Sequence, residues 1–169
     1  WDDPGADGDL QPIDGEKFAH LVTATKVGDA PVFALDVSPR RTWACLVAAG
    51  AVDGVVVVEI PSRRGVKTYQ RGTAWIIPTA TKLAKKFPGA TVRLLAKSQA
   101  LAFGPKLEEL GFTVDYVSMG DYPGMCASLA QRVDDGTVGH RGELELTAAV
   151  EAAIAVEVGE EQWRWGRRK

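Results

Sequence analysis

From residue 32 onward the apolar side chains come in short runs separated by Gly, Pro, Ser and Asp. Three runs follow in quick succession, at about 32–38, 42–49 and 54–60. Their connections are too short for a crossover, so they predict an antiparallel meander. The third, Val55-Val56-Val57-Val58-Glu59-Ile60, is continuous and β-branched, which suits a central strand. A helical stripe with Trp75, Ile76, Leu83 and Phe87 then spans 73–87, and Pro88-Gly89 stops it. Strands at 91–96 and 113–118 alternate with helices at 105–110, 122–133 and 144–156. Gly111 falls where a left-handed residue ends a helix. In the tail, Trp163 and Trp165 alternate at strand period.

This order predicts an α/β fold. A mixed five-stranded sheet, antiparallel in strands one to three and parallel in four and five, is flanked by helices, and right-handed crossovers place the first strand beside the fourth. Residues 1–30, rich in Asp, Gly and Pro, read as a lead-in that packs loosely on a domain of 31–169, with one short helix at 16–22. The chain opens on Trp1, as an excised domain or processed fragment would.

Composition narrows the function classes. The 169 residues, 46% apolar and 25% charged, are those of an ordinary globular domain with a real core. A net charge of −2 gives no overall basic field, so binding to nucleic acid requires a local patch. Cys45 and Cys126 lack CxxC spacing and lie in apolar surroundings, which predicts buried, reduced thiols. No apolar run approaches the roughly 20 residues of a membrane span. The acidic start lacks the regions of a signal peptide, so no membrane partner and a cytoplasmic location are the expectation.

Asp36 is the residue that suggests chemistry. It ends an apolar strand, Val32-Phe33-Ala34-Leu35-Asp36-Val37, followed by Ser38-Pro39. A carboxylate on a buried strand costs several kcal/mol unless it is paired or binds a cation. Asp and Ser also end strands simply to cap turns, the competing reading. Glu59 ends the third strand and could reach the same edge, though a strand-end Glu is more often solvated. Asp134 and Asp135 read as a solvated turn, and Glu143 and Glu145 as acids at a helix start. His140 reads as a hydrogen-bonded structural residue, and Ser38 has no partner that would make it a nucleophile. Arg63, Arg64, Lys67 and Arg71, beside Tyr69, together with Arg40 and Arg41 at the first turn, are candidates for phosphate contact. A solvated basic loop is the alternative. Arg164, Arg167, Arg168 and Lys169 form a second basic strip or a solubilising end.

The chain resembles the ribonuclease-H-like C-terminal nuclease domain of the large terminase subunit of tailed phages, in its actinobacterial-phage form. Leu35-Asp36-Val37-Ser38-Pro39 looks like that family's opening strand, and Asp53-Gly54 with Val57-Val58-Glu59 like its third. Gly72-Thr73-Ala74-Trp75-Ile76-Ile77 resembles its helix start, and Leu107-Glu108-Glu109-Leu110-Gly111-Phe112 its helix-to-strand junction. Asp135-Gly136-Thr137-Val138-Gly139-His140, Leu146-Thr147-Ala148-Ala149 and Trp163-Arg164-Trp165-Gly166-Arg167-Arg168 are similar to its closing segments. Trp1-Asp2-Asp3-Pro4 and Ile13-Asp14-Gly15-Glu16-Lys17-Phe18 look like the connector from an ATPase domain, which is absent here along with any Walker A pattern.

The resemblance implies an endonuclease dependent on Mg²⁺ or Mn²⁺ (one or two ions) that cuts concatemeric double-stranded DNA during packaging. Its implied partners are the terminase ATPase domain, the small terminase and the portal. Asp36 carries over as the first metal ligand. The family's second acid falls on Leu95, and its third comes from a helix beyond Lys169. Lys97, beside the missing acid, would repel a cation or contact a phosphate. One carboxylate cannot fix the oxygen-rich coordination of two ions, so the expectation is weak or no cleavage. The alternative is a decayed module that grips DNA or docks packaging partners.

Overall fold

The computed structural model describes residues 11–159 and 162–167. After helix α1 (Gly15–His20), the meander forms from β1 (Val32–Val37), β2 (Trp43–Val52) and β3 (Val55–Glu59). β1 pairs antiparallel with β2 from Val32↔Ala49 to Val37↔Ala44, and β2 with β3 from Ala48↔Glu59 to Val52↔Val55. Asp53 and Gly54, at φ 50° and 81°, close the second hairpin. Positive φ at both central residues matches the right-handed twist of the strands they join. A small hairpin, β4 (Ser62–Arg63) and β5 (Val66–Lys67), turns on Arg64-Gly65 at φ 51° and 79°. It leads into β6 (Tyr69–Arg71), which pairs with β2.

The remaining elements are α2 (Ile76–Lys86), β7 (Thr91–Leu95), a 3-10 turn (Gln99–Phe103), α3 (Gly104–Glu109), β8 (Thr113–Val117) and α4 (Tyr122–Asp134). Then come β9 (Val138–His140), α5 (Leu144–Glu151), β10 (Ala153–Val158) and β11 (Gln162–Arg167). The sheet runs β8-β7-β1-β2-β3-β9, with β6 also on β2. β7 and β8 run parallel to β1, as the crossover order predicts, and β9 adds a parallel partner for β3. The expected five strands are therefore present, with β6 and β9 extending them.

Strand parity creates two cores. Phe33, Leu35 and Val37 of β1, Ala44, Leu46 and Ala48 of β2, and Val92 and Leu94 of β7 face α2 and α3, burying Ile76, Ala80 and Leu107. Each fully buried Leu or Phe of this set contributes about 1.5–3 kcal/mol. On the other face, Val138 and half-buried Val56 and Val58 pack on Phe18 of α1, Val133 of α4 and Val150 of α5. Ile13 and Phe18 are both buried, so the described part of the lead-in is packed against the sheet rather than loosely attached. Thr23 and Leu21 bond to the backbone of His140 and extend that edge.

The helix expected over 144–156 ends at Glu151. Ala153–Val158 is instead a strand, paired with Gln162–Arg167 from Ala153↔Arg167 to Val158↔Gln162. Alanines at 148, 149 and 152 favour helix, but the alternation Ile154, Val156, Val158 finds a partner in the tryptophan strand, and pairing overrides propensity.

Candidate functional site

The alternation that buries Phe33, Leu35 and Val37 turns Asp36 to the opposite face, where it is exposed. There it pairs with Cys45 across the β1–β2 ladder, and Cys45 pairs with Tyr69 across β2–β6. On the other side the β1–β7 ladder ends at Ala34↔Arg93, and Leu95, two residues beyond it, shares the parity that turns Arg93 to the face of Asp36. Leu95 pairs in turn with Val117. In register on this face stand Tyr69, Cys45 and Asp36, and among these Asp36 holds the one carboxylate.

Two helices flank the row. From α4, Tyr122 feels the charge of Asp36 and bonds Cys126, and Arg164 of β11 acts on both Tyr122 and Cys126. Burial pushes the Tyr122 hydroxyl up to about 12; Cys126 and the Asp36 charge add to this, and Arg164 opposes it. Burial also pushes the Cys126 thiol up, against hydrogen bonding from the Trp165 backbone. From α5, Glu145 and the small residues Ala148, Ala149 and Ala152 wall a cavity of about 590 Å³ whose other side is Asp36, Cys45, Trp43 and Tyr69. Glu145 does not turn freely into this space. Its two oxygens accept from Lys67 Nζ at 2.8 and 2.6 Å, which holds its carboxyl below the usual carboxylate range.

Whether these residues fit a divalent-ion centre follows from the donors. Mg²⁺ requires a near-octahedral set of hard oxygens. Asp36 offers one carboxylate, paired across the ladder with a soft thiol. Among the described residues no group of three or more His, Cys, Asp or Glu side chains converges. The described donor set therefore does not fit a two-ion centre.

The structure separates the remaining candidates. Glu59 pairs with Ala48, which pairs with Phe33, so it lies on the face opposite Asp36, and Val27 N–H donates to its carboxylate at 3.4 Å. It does not join Asp36. Ser38 organises the β1–β2 turn, its hydroxyl accepting from Trp43 N–H at 3.1 Å. Of the basic residues, Lys67 is held by Glu145 and Arg71 lies 5.6 Å over the Trp43 ring. Trp43 stacks on Tyr69 at 5.1 Å, forming an exposed aromatic pair beside the cavity. Arg40 is exposed in the first turn, and Arg41, at φ 56°, sits 5.5 Å over Phe103. Lys97 is exposed in the turn after β7 at φ 64°. Arg63 and Arg64 line a separate cleft on the other face.

Among the other acids, Asp134 pairs with Lys17 at 2.9 Å, and Asp135 accepts from Gln131. Glu143 accepts from Ile60 N–H at 2.9 Å, tying α5 to the end of β3 rather than capping its own helix. His140 is buried, stacked on Phe18 at 4.4 Å; its Nε2 bonds the Phe18 carbonyl and its Nδ1 accepts from Gly142 N–H. That fixes a structural tautomer. The motif Trp1-Asp2-Asp3-Pro4, the side chain of Arg167, and Arg168 and Lys169 fall outside the described residues. Sequence reasoning missed Tyr122 as a group that feels the Asp36 charge, because no local pattern links positions so far apart in the chain.

No protein-family model and no curated protein matches the chain. Solved structures do. The large terminase of bacteriophage HK97 aligns with a TM-score of 0.68 at 15% identity, covering 91% of this chain and 39% of that one. The chain thus spans about two fifths of that terminase. The large terminase nuclease of thermophilic phage G20c aligns at 0.63 and 10% identity, over 94% of this chain and 89% of that one. The nuclease domain of the large terminase subunit of bacterial virus Sf6, in a manganese-bound K428A mutant, aligns at 0.59 and 14%, over 93% and 88%. The G20c nuclease has also been solved with bound magnesium. The fold of this chain is the phage terminase nuclease fold, a ribonuclease-H-like mixed sheet.

Proposed function

We propose that this chain is the nuclease domain of a phage DNA-packaging terminase, acting on concatemeric double-stranded DNA in the host cytoplasm beside the ATPase domain, small terminase and portal. The observation that carries the reading is the place of Asp36. It stands near the end of the central strand, on an open face above a cavity, in a fold shared with terminase nucleases over most of the chain. Asp36 is the residue that would meet a Mg²⁺ or Mn²⁺ ion. Arg71 and Arg40, near the same end of the sheet, are placed to meet backbone phosphates.

The same geometry limits the activity. With Cys45 beside the acid and Leu95 on the same face, the described residues hold a divalent ion weakly, and cleavage is weak or absent in this chain. A Mg²⁺ and Mn²⁺ titration with supercoiled plasmid tests this. The expected result is little nicking at millimolar metal. Robust cutting that Asp36→Asn abolishes would refute the weak-activity reading while supporting the nuclease.

A second reading is a decayed module that grips DNA or docks packaging partners. Leu95 at the expected position of the second acid favours it. Duplex binding with no cleavage in either metal, unchanged by Asp36→Asn, is the outcome that selects it.

A further inference from the structure

The sheet face opposite Asp36 carries a larger cleft, of about 960 Å³. One wall is the β4–β5 hairpin, with Arg63 and Arg64; the other is α2, with Lys82 and Lys86; Lys26 closes one end. Five of the chain's 20 basic residues line this cleft, against one of its 22 acids, Glu59. The chain as a whole is slightly acidic, so this is a concentration of charge and not a reflection of composition. Among the described residues, none of the five takes part in an ion pair. The C-terminal turn of a helix attracts cations, which accounts for Lys86 on its own. It does not account for two arginines on the facing wall.

The floor limits what can bind. Phe33 and Ala48 are almost fully buried, and the Phe87 ring already carries Lys86 at 4.9 Å. No open ring is left to stack a base, which is the usual anchor for a single strand. Cations on two facing walls over such a floor suit a sugar-phosphate backbone that is neutralised but not read. A concave surface of one sign also focuses its field on an incoming polyanion.

We propose that this cleft is a second DNA site, gripping the backbone of duplex DNA on the face turned away from Asp36. The segment it holds is then not the segment presented to Asp36. The domain would anchor one stretch of duplex while another approaches the acid. The inference rests on the proposed function only in taking DNA as the polyanion.

The test is fluorescence anisotropy with the full chain and a labelled short duplex in EDTA, across a salt series. Arg63→Gln with Lys82→Gln neutralises one cation on each wall. Arg64→Gln with Lys86→Gln does the same with the other pair. All four side chains are exposed, so the core is untouched, and circular dichroism checks this. Each pair should weaken duplex binding about tenfold at low salt and flatten the log-affinity against log-salt slope by roughly 2, at about 0.9 per phosphate contact. Lys106→Gln, which removes an exposed cation outside the cleft, should leave duplex affinity close to wild type. Wild-type affinity and slope in both cleft pairs would overturn the proposal. So would tighter binding of a single strand of the same length, or displacement of the duplex by poly-glutamate at equal charge, which would give the cleft to an acidic protein surface. A failure to cut DNA in Mn²⁺ leaves these readings untouched, so the two proposals fail separately.

Discussion

Asp36 faces Cys45 across the β1–β2 ladder, and Leu95, two residues past the last β1–β7 pair at Ala34↔Arg93, lies on the same face of the sheet. A single carboxylate thus stands beside a thiol on an open face. Among the described residues no group of three or more His, Cys, Asp or Glu side chains forms around it.

Adding an acid at Leu95 is the direct test of this arrangement. Leu95→Asp puts a second carboxylate on the same face as Asp36, one strand away. Leu95 is half-buried, so the change should cost about 1–2 kcal/mol of stability. Calorimetry should show Mn²⁺ binding at least about tenfold tighter, equivalent to 1.4 kcal/mol, with plasmid nicking rising in parallel. No gain in metal affinity would mean that Leu95 and Asp36 do not share a site.

Tyr122 reports on Asp36 independently of any metal. Its hydroxyl is raised from 10.0 to about 12, chiefly by burial, with the Asp36 charge among the contributors. A raised acid favours the folded state below its unfolded value, and that contribution is lost as pH rises from 10 towards 12. Discounted for a part-buried hydroxyl, the effect is about 1–2 kcal/mol. Ultraviolet titration of tyrosinate should show late-titrating groups, since Tyr116 is raised as well, and Tyr122→Phe identifies the Tyr122 group by removing it. Asp36→Asn should shift that group downwards; an unmoved titration would place the Asp36 carboxylate away from Tyr122.

The meander was legible because its alternation, its short connections and the Asp53-Gly54 turn all act locally. The first core followed from the same alternation. What was not legible depends on contacts between distant segments. Ala153–Val158 reads as helix until β11 is placed beside it. Arg64-Gly65 reads as part of a basic loop, although Gly after a residue at positive φ is itself a hairpin signal. Asp36 was legible as an acid out of place, but its flanks Cys45 and Tyr122 were not, since registry and helix docking set them. The five cations of the far cleft come from three separate stretches of chain, and only folding brings Lys26, Lys82 and Lys86 to the arginines.

The Lys67–Glu145 bridge ties the hairpin to α5 beside the cavity. Glu145 is held below its usual 4.5, mainly by the hydrogen bond from Lys67. A depressed acid stabilises the fold above its unfolded value, and that contribution is lost as pH falls below about 4.5 through the folded value. The pair is partly exposed, so it is worth about 0.5–1 kcal/mol. Lys67→Met should lower the thermal midpoint at pH 7 by a few degrees, and the difference from wild type should shrink as pH falls below 4.5 and vanish once Glu145 is protonated in the folded state. A difference that persists in acid would assign the loss to packing of the lysine stem instead.

Gly139 shows how tightly the lead-in is fastened. It lies in β9, fully buried, and a Cβ built there would meet Thr23 Cγ2 at 2.9 Å. Thr23 is fixed in turn, because its N–H donates to the His140 carbonyl at 2.8 Å and β9 cannot move without breaking its pairing with β3. Gly139→Ala should therefore destabilise the fold by about 1–3 kcal/mol through overpacking. Thr23→Ala removes the clashing methyl together with the exposed acceptor of the Thr25 N–H, so the double variant should recover most of the Gly139→Ala loss when referred to Thr23→Ala in a denaturant melt. Additive losses in the two variants would show that the two residues are not in contact, and with that the packed lead-in would have to be given up.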